Sequence, residues 1–439
     1  MDRLAAWPAP QTRGERALAR AAVSLRALGV TQALVLAVFA LRAAFASRER
    51  RLALAARAFG VLKGSFAKLG QLAALRVDLI APEARAALLA LCDDVPPLRA
   101  SQIRSEVERA LGGPLEQHFA RFDAMPLGAA SIAQVHAAQL RDGREVAVKV
   151  QYPWLARSQR ADLALARLAL RLVMGARVDD SAWREFARSF ALELDFAREA
   201  EAAREIAANL AAEQSVAVPR VVAEASRARV LTLERVAAIP MSREALLARG
   251  IAPAAVAEIV LRAYARQIFL DGVFHADQHA GNLFVIDEPG AAANPRVLFV
   301  DFGLSHHLTS ELRRELRAGV LALLNGQLDA FLAGMQRLSM IAPGAEPSVR
   351  AAVNSMFTRI RGASGNNALS LSGDRILALK DEAQSLLYTT PGLTLPPDLL
   401  LYAKTVSTVF ALCSELAPEL DPMKLAAPYV LRFLAKRDS

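Results

Sequence analysis

The sequence predicts an α+β chain of two lobes, a small and mostly antiparallel β lobe followed by a helical one, with a helical extension in front. One observation is a hairpin. Ser131-Ile-Ala-Gln-Val-His136 and Glu145-Val-Ala-Val-Lys-Val150 alternate apolar and polar residues and are joined through Arg141-Asp142-Gly143, and Asp-Gly between such runs is a strong hairpin signal. A second is the helical periodicity that fills almost everything after Gly250, apart from two short strands flanking residues 274–282. A third is size: 439 residues with 54% hydrophobic content can bury a substantial core, which favours a two-lobed body with an extension over several independent domains. The boundaries expected are 1–62 for a basic, apolar helical extension, 63–112 for a second helical extension, 113–237 for the β lobe and 238–439 for the helical lobe. No internal repeat is visible.

The first extension carries the chain's charge. Residues 1–63 hold eleven Arg/Lys and three Asp/Glu, net +8, against +9 for the whole chain. Ala27 to Leu41 is uncharged but includes Thr31 and Gln32, and it is shorter than the roughly 20 apolar residues a spanning helix needs. An arginine-bearing helix lying on anionic lipid is one reading; a helix packed on the body is the other. The apolar run begins late for a signal peptide and no small-residue cleavage site follows it. The basic region has few aromatics for stacking and no recognition motif, which argues against nucleic acid as a partner. Cys92 and Cys413 both lie in apolar helical contexts, which suits a reducing cytoplasm and neither a disulfide nor a metal site.

In the helical lobe, Phe274-His-Ala-Asp-Gln-His-Ala-Gly-Asn282 is followed nineteen positions later by Asp301-Phe302-Gly303, at the end of the apolar run Val297-Leu-Phe-Val300. This is the spacing of a phosphoryl-transfer site: Asp277 to orient a nucleophile, Asn282 and Asp301 as oxygen ligands for Mg²⁺ and a triphosphate. The order H-x-D-x-x-x-x-N then D-F-G is the catalytic loop and metal-binding strand of protein kinases, with Ala276 where most have Arg. Two other readings cover the first half alone. His275, Asp277 and His279 alternate as a metal triad on a strand would, or the segment is a polar loop with hydrogen-bonded histidines. Neither accounts for Asp301-Phe-Gly303 or for the upstream lysine.

That lysine is Lys149, on the second strand of the predicted hairpin, where the V-A-I-K lysine of kinases lies. The chain has seven lysines against forty-six arginines, and none between Lys149 and Lys380. A chain that otherwise writes positive charge as Arg has kept the compact point charge here, which suits a phosphate contact in a tight cleft. Glu193, in Glu193-Leu-Asp-Phe-Ala-Arg-Glu199, sits on a long helical pattern with Phe186, Phe190 and Leu194 and is the expected carboxylate partner of Lys149. A solvated acidic helix face is the alternative. In front of the hairpin no glycine-rich loop is found. Pro126-Leu-Gly-Ala-Ala-Ser131 stands there instead, and each added Cβ limits how closely backbone amides approach a phosphate.

These motifs together resemble the UbiB/AarF type of atypical kinase-like proteins, which include the mitochondrial coenzyme Q factors, over roughly residues 60–430. Most diagnostic is Lys68-Leu-Gly-Gln71, within Gly64 to Asp78, which looks like the K-x-G-Q helix of that family; ordinary protein kinases and aminoglycoside-type kinases lack it. Leu91-Cys-Asp-Asp-Val-Pro-Pro97, the alanine-rich loop, Val148-Lys-Val-Gln-Tyr-Pro153, the pair Glu193 and Asp195, Leu231-Thr-Leu-Glu234 as hinge, residues 274–282 and Asp301-Phe-Gly303 follow in family order.

The resemblance implies a bilobal protein-kinase-like fold and a Mg²⁺-dependent atypical kinase or ATPase that binds ATP or ADP. It implies support of ubiquinone (isoprenoid quinone) biosynthesis or lipid homeostasis at a membrane surface, with a lipid or quinone intermediate and quinone-biosynthesis proteins as partners. By carry-over, Lys68 and Gln71 gate the site, Gly128, Ala129, Ala130, Ser131, Lys149 and Glu234 bind nucleotide, and Glu193 pairs with Lys149. Asp277 is the catalytic-loop acid, and Asn282 and Asp301 hold the metal. Gly128 departs from the family's first alanine, Cys92 from Gln, Ala202 from Asn and Ala238 from Gly; none is a phosphate or metal ligand. Some bacterial members end in transmembrane helices, whereas residues 400–433 here read as amphipathic segments broken by Pro418, Pro422 and Pro428. The expectation is a cytoplasmic protein, peripheral at most on the inner membrane face, with no transmembrane helix. Two further functional classes stay open: a small-molecule kinase of aminoglycoside or choline type, and a nucleotide-binding switch or scaffold without catalysis.

Overall fold

The computed structural model describes residues 29–44, 62–66, 68, 97–174, 180–276, 281–364 and 390–436. The chain divides into two compact units, Met1–Glu201 with Arg220–Arg235, and Ala202–Pro219 with Val236–Ser439.

In the first unit, α1 (Val30–Ala44) is followed by helical residues at 62 and at 64–66 with Lys63 breaking the helix between them, then α2 (Ala100–Leu111), α3 (Leu115–His118), β1 (Phe119–Ala129), β2 (Ala133–Leu140) and β3 (Glu145–Gln151). Three helices come next, α4 (Leu155–Met174), α5 (Asp180–Glu193) and α6 (Phe196–Asn209), the last passing at Ala202 into the second unit; after β4 (Val216–Ala217), a two-residue strand of that second unit, the chain returns to the first with β5 (Val230–Glu234). The predicted hairpin is present: β2 and β3 pair antiparallel, Val135 opposite Lys149, and the turn is closed by Gly143 at φ 90°, a conformation glycine adopts without a Cβ clash.

The sheet runs β1-β2-β3-β5, antiparallel throughout. Side chains alternate across a strand, so Val146, Val148 and Val150 share one face of β3 and Lys149 lies on the other. The valine face packs with Ile103, Val107 and Leu111 of α2, spaced i, i+4, i+8 as one stripe of a helix. On the opposite side Tyr152, Trp154, Leu155, Phe190 and Phe196 form a second core with Leu231.

The second unit carries two small sheets. One is ordered β4-β9-β8-β6, with β6 (Ala238–Pro240), β8 (Leu283–Ile286) and β9 (Val297–Phe299); the other pairs β7 (Val273–His275) with β10 (Ser305–His307). The helices are α7 (Arg243–Ala248), α8 (Pro253–Ala265), α9 (Ser310–Leu324), α10 (Leu328–Arg337), α11 (Glu346–Ser364), α12 (Pro397–Leu416) and α13 (Pro422–Ala435), and a π-helical turn covers Arg266–Asp271. Their core gathers Ile268, Phe274, Leu312, Met335, Val353, Phe357 and Leu399.

Two expectations for this unit need correction. Besides the strands flanking 274–282 there are β9, on the apolar run 297–300, and β10, a three-residue strand whose His306-His307 has no apolar alternation to betray it. Pro428 does not break its helix: α13 runs through it, because one missing N–H and a local clash are tolerated in a segment whose Val430 and Phe433 are buried. Among the described residues no helix is long and apolar enough to cross a membrane.

Candidate functional site

Lys149 is 8% exposed, and its Nζ lies 2.7 Å from Glu199 Oε1 and 5.3 Å from the centre of the Phe196 ring. Glu193 Oε1 instead lies 2.9 Å from Lys68 Nζ. The expected Lys149–Glu193 pair is therefore corrected. Glu199 sits against the strand lysine, and Glu193 against the lysine of the K-x-G-Q motif.

A helix break explains the exchange. The pattern read as one long helix is two: α5 ends at Glu193 and α6 begins at Phe196. The Leu194 carbonyl freed by the break accepts from Gln151 Nε2 at 2.8 Å, and Asp195 Oδ1 accepts from the Ala197 N–H at 3.1 Å, the geometry of an N-cap. The two glutamates thus occupy the last turn of one helix and the first of the next, each facing its own cation. Asp195 was the signal available in the sequence: an Asp immediately before the apolar Phe196 marks a helix start.

The turn between β1 and β2 is held at two carbonyls. Gly64 N–H donates to the Ser131 carbonyl at 2.8 Å and Tyr152 Oη donates to the Ala130 carbonyl at 2.8 Å. Burial pushes the Tyr152 hydroxyl well above the usual phenol range, which keeps its proton available as a donor. Lys63 Nζ stands 4.7 Å from the Tyr152 ring centre, and both Lys63 (φ 57°) and Gly64 (φ 56°) have left-handed backbone. At Gly64 only glycine fits, since a Cβ would come within 2.5 Å of Leu155 Cδ2. Gly128 and Ala129 belong to the end of β1, and a Cβ added at Gly128 would meet nothing within 4 Å. Glu234 ends β5 exposed, its N–H donating to the Arg220 carbonyl at 2.9 Å.

In the second unit the chain braces its loop through His275. This residue is buried; its N–H donates to Gln267 Oε1 at 3.1 Å, its Nε2 bonds the Asp301 carbonyl, and its ring meets Phe302 edge-on. A metal role for His275 would compete with that bond. Asn282 is buried and its carbonyl accepts the Val300 N–H at 3.0 Å. Asp301 holds φ 62°, a left-handed conformation that costs a non-glycine residue roughly 1–2 kcal/mol, and its Oδ1 accepts the Gly303 N–H at 3.3 Å. An amide and a carboxylate fit Mg²⁺, a hard ion bound through few protein oxygens with phosphate supplying others. Asp277, His279 and Gln71 lie outside the described residues.

Comparison with known proteins bears on the family and the fold. A family model described as the ABC1 atypical kinase-like domain matches residues 90–333. A probable protein kinase UbiB from Xylella fastidiosa (strain 9a5c) is 33% identical over 407 residues, covering 90% of this chain and 71% of its own length. One from Xanthomonas campestris pv. campestris (strain B100) is 35% identical over 410 residues, with the same coverage. Among solved structures, Rv3197 from Mycobacterium tuberculosis, in complex with erythromycin, superposes with a TM-score of 0.55 at 24% identity, over 86% of this chain and 95% of that one; this bears on the fold alone. The bilobal, kinase-like α+β fold and the motif order have the same explanation: the chain belongs to the ABC1 atypical kinase-like family.

Proposed function

We propose that the protein is a Mg²⁺-dependent atypical kinase or ATPase, binding ATP or ADP, that supports ubiquinone biosynthesis or lipid homeostasis at a membrane surface. The observation that carries the reading is the buried Lys149–Glu199 pair, the arrangement a kinase-type phosphate lysine needs when no phosphate is present.

In this reading Lys149 meets the nucleotide phosphates and Glu199 fixes its ammonium. Asn282 and Asp301 hold Mg²⁺, which when bound neutralises charge on the phosphates. Asp277 takes the proton of the attacking hydroxyl or water as the terminal P–O bond of ATP breaks and a new P–O bond forms at the acceptor oxygen, with ADP leaving. The turn at 128–131 covers the nucleotide under a tether from Gly64 and Tyr152. The pairing of Lys68 with Glu193 supports a gating role for Lys68, to which the family resemblance adds Gln71.

The test is ATP hydrolysis by the purified protein with and without anionic vesicles and a quinone-precursor mimic, beside Asp277→Asn. Mg²⁺-dependent hydrolysis that vanishes in the variant supports the proposal. Tight nucleotide binding with no hydrolysis under any condition would replace it with a nucleotide switch.

A further inference from the structure

The helix α1 shows one face to the protein and another to solvent. Inward, Gln32 is buried and bonds Asp162, which also accepts from Ser158 Oγ at 2.8 Å. Val35 and Leu36 pack on Leu62, Phe66, Ala166 and Trp183. Outward lie Val30, Ala33, Leu34, Ala37, Val38, Leu41 and Arg42, all exposed. Their spacing of i, i+3, i+4, i+7, i+8, i+11, i+12 is a single helical stripe, and six of the seven are apolar. Leu34 and Leu41 are 62% and 68% exposed, the reverse of what a stripe of this composition does on an ordinary surface helix.

The occupant must be apolar where it meets Leu34 and Leu41 and negative around them. The only charge on the stripe is Arg42, and in the sequence the helix is flanked by Arg26 on one side and Arg48, Arg50 and Arg51 on the other, within a segment of net +8. With 15 residues at about 1.5 Å each, the helix measures roughly 22 Å, short of a hydrocarbon core of about 30 Å. Such an element lies in the interface rather than across it: apolar side chains enter the acyl boundary and arginines meet lipid phosphates.

We infer that the Val30–Leu34–Val38–Leu41 stripe of α1 is the surface by which this protein docks on an anionic bilayer. The inference rests on the membrane-surface part of the proposed function and adds the face that makes the contact. Val30, Leu34, Val38 and Leu41 are exposed and none of them is among the residues assigned above to nucleotide or metal, so docking and nucleotide binding can be read separately.

The test is co-sedimentation of the full chain with vesicles of phosphatidylcholine plus phosphatidylglycerol, and with phosphatidylcholine alone. The variants are Leu34→Gln/Leu41→Gln, which removes apolar surface and keeps helix propensity, and Leu34→Glu/Leu41→Glu. Nucleotide binding, thermal midpoint and sedimentation state are recorded on the same samples. The expected result is anionic-vesicle binding by wild type, weakened about tenfold or more in the Gln variant and further in the Glu variant, with nucleotide binding and thermal midpoint unchanged. Unaltered vesicle binding in both variants overturns the inference, as does equal binding to neutral vesicles. A wild-type dimer that the variants split, with no vesicle binding, overturns it too and assigns the stripe to a second copy. Vesicle binding that stands while nucleotide binding is absent leaves the docking face in place and defeats only the proposed catalysis.

Discussion

Lys149 Nζ and Glu199 Oε1 stand 2.7 Å apart, with the lysine side chain 11% and the glutamate 2% exposed. A pair this deeply removed from water is held by geometry, and losing one member leaves the other charge uncompensated. The second pair, Lys68–Glu193, is wetter at 24% on the lysine side. The two therefore differ in what their disruption costs.

Glu199→Ala is expected to destabilise the protein by about 3 kcal/mol and to weaken nucleotide binding. Glu193→Ala is expected to cost about 1 kcal/mol or less, the range of partly exposed pairs. Thermal or urea unfolding of both variants checks the order; Glu193→Ala as the costlier change would return the role of lysine partner to Glu193.

Lys68 and Glu193 act as one unit if the pair positions the K-x-G-Q segment. In a cycle of Lys68→Ala, Glu193→Gln and the double variant, the effects on nucleotide turnover should be non-additive by about 0.5–3 kcal/mol, as for groups in direct contact. Strict additivity would separate the two residues.

The turn before β2 is tethered by hydrogen bonds that a glycine-rich loop would not need. Tyr152→Phe removes the donor to the Ala130 carbonyl and should cost about 1 kcal/mol, with faster amide hydrogen exchange at residues 129–132. Gly128→Ala should fold normally, because its Cβ meets nothing within 4 Å and restricting the unfolded chain favours folding by about 0.4–1 kcal/mol; since an added Cβ limits how closely backbone amides approach a phosphate, affinity for ATP, with its extra phosphate, is expected to fall relative to ADP, measured as the ratio of the two affinities.

His136 gives the pH dependence its sign. Burial holds its pKa below the ordinary imidazole range, so the native state holds it neutral, bridging Gln134 Nε2 and the Asp123 carbonyl. The unfolded chain binds the proton more readily, so this contribution is complete above the unfolded pKa. It declines as pH falls below about 6.5 towards the lower folded value. Stability measured from pH 8 to 5 should fall along that window, and the slope should flatten in His136→Gln.

Much of this was legible in the sequence. The hairpin announced itself through alternation and Asp-Gly, and the positions of Lys149, Asn282 and Asp301 followed from motif spacing. What escaped was set by single side chains acting across distance in the chain. Gln151 and Asp195 break a helix whose apolar periodicity runs on without interruption, and that break decides which glutamate faces which lysine. β10 escaped because its strand character comes from pairing with β7 and not from its own residues. Tyr152 read as part of a motif, yet its hydrogen bond to Ala130 is a property of the fold.

The proposed catalysis requires Lys149 to contact nucleotide phosphates and Asp301 to hold Mg²⁺. Calorimetric titration of ATP and ADP into the wild type, with Mg²⁺ and with EDTA, and into Asp301→Asn and Lys149→Arg, tests it most directly. The expected result is Mg²⁺-dependent binding in the wild type, loss of the metal dependence in Asp301→Asn and an affinity weakened by about tenfold, or 1.4 kcal/mol, in Lys149→Arg. Equal affinity in all three proteins, with or without the metal, would contradict it.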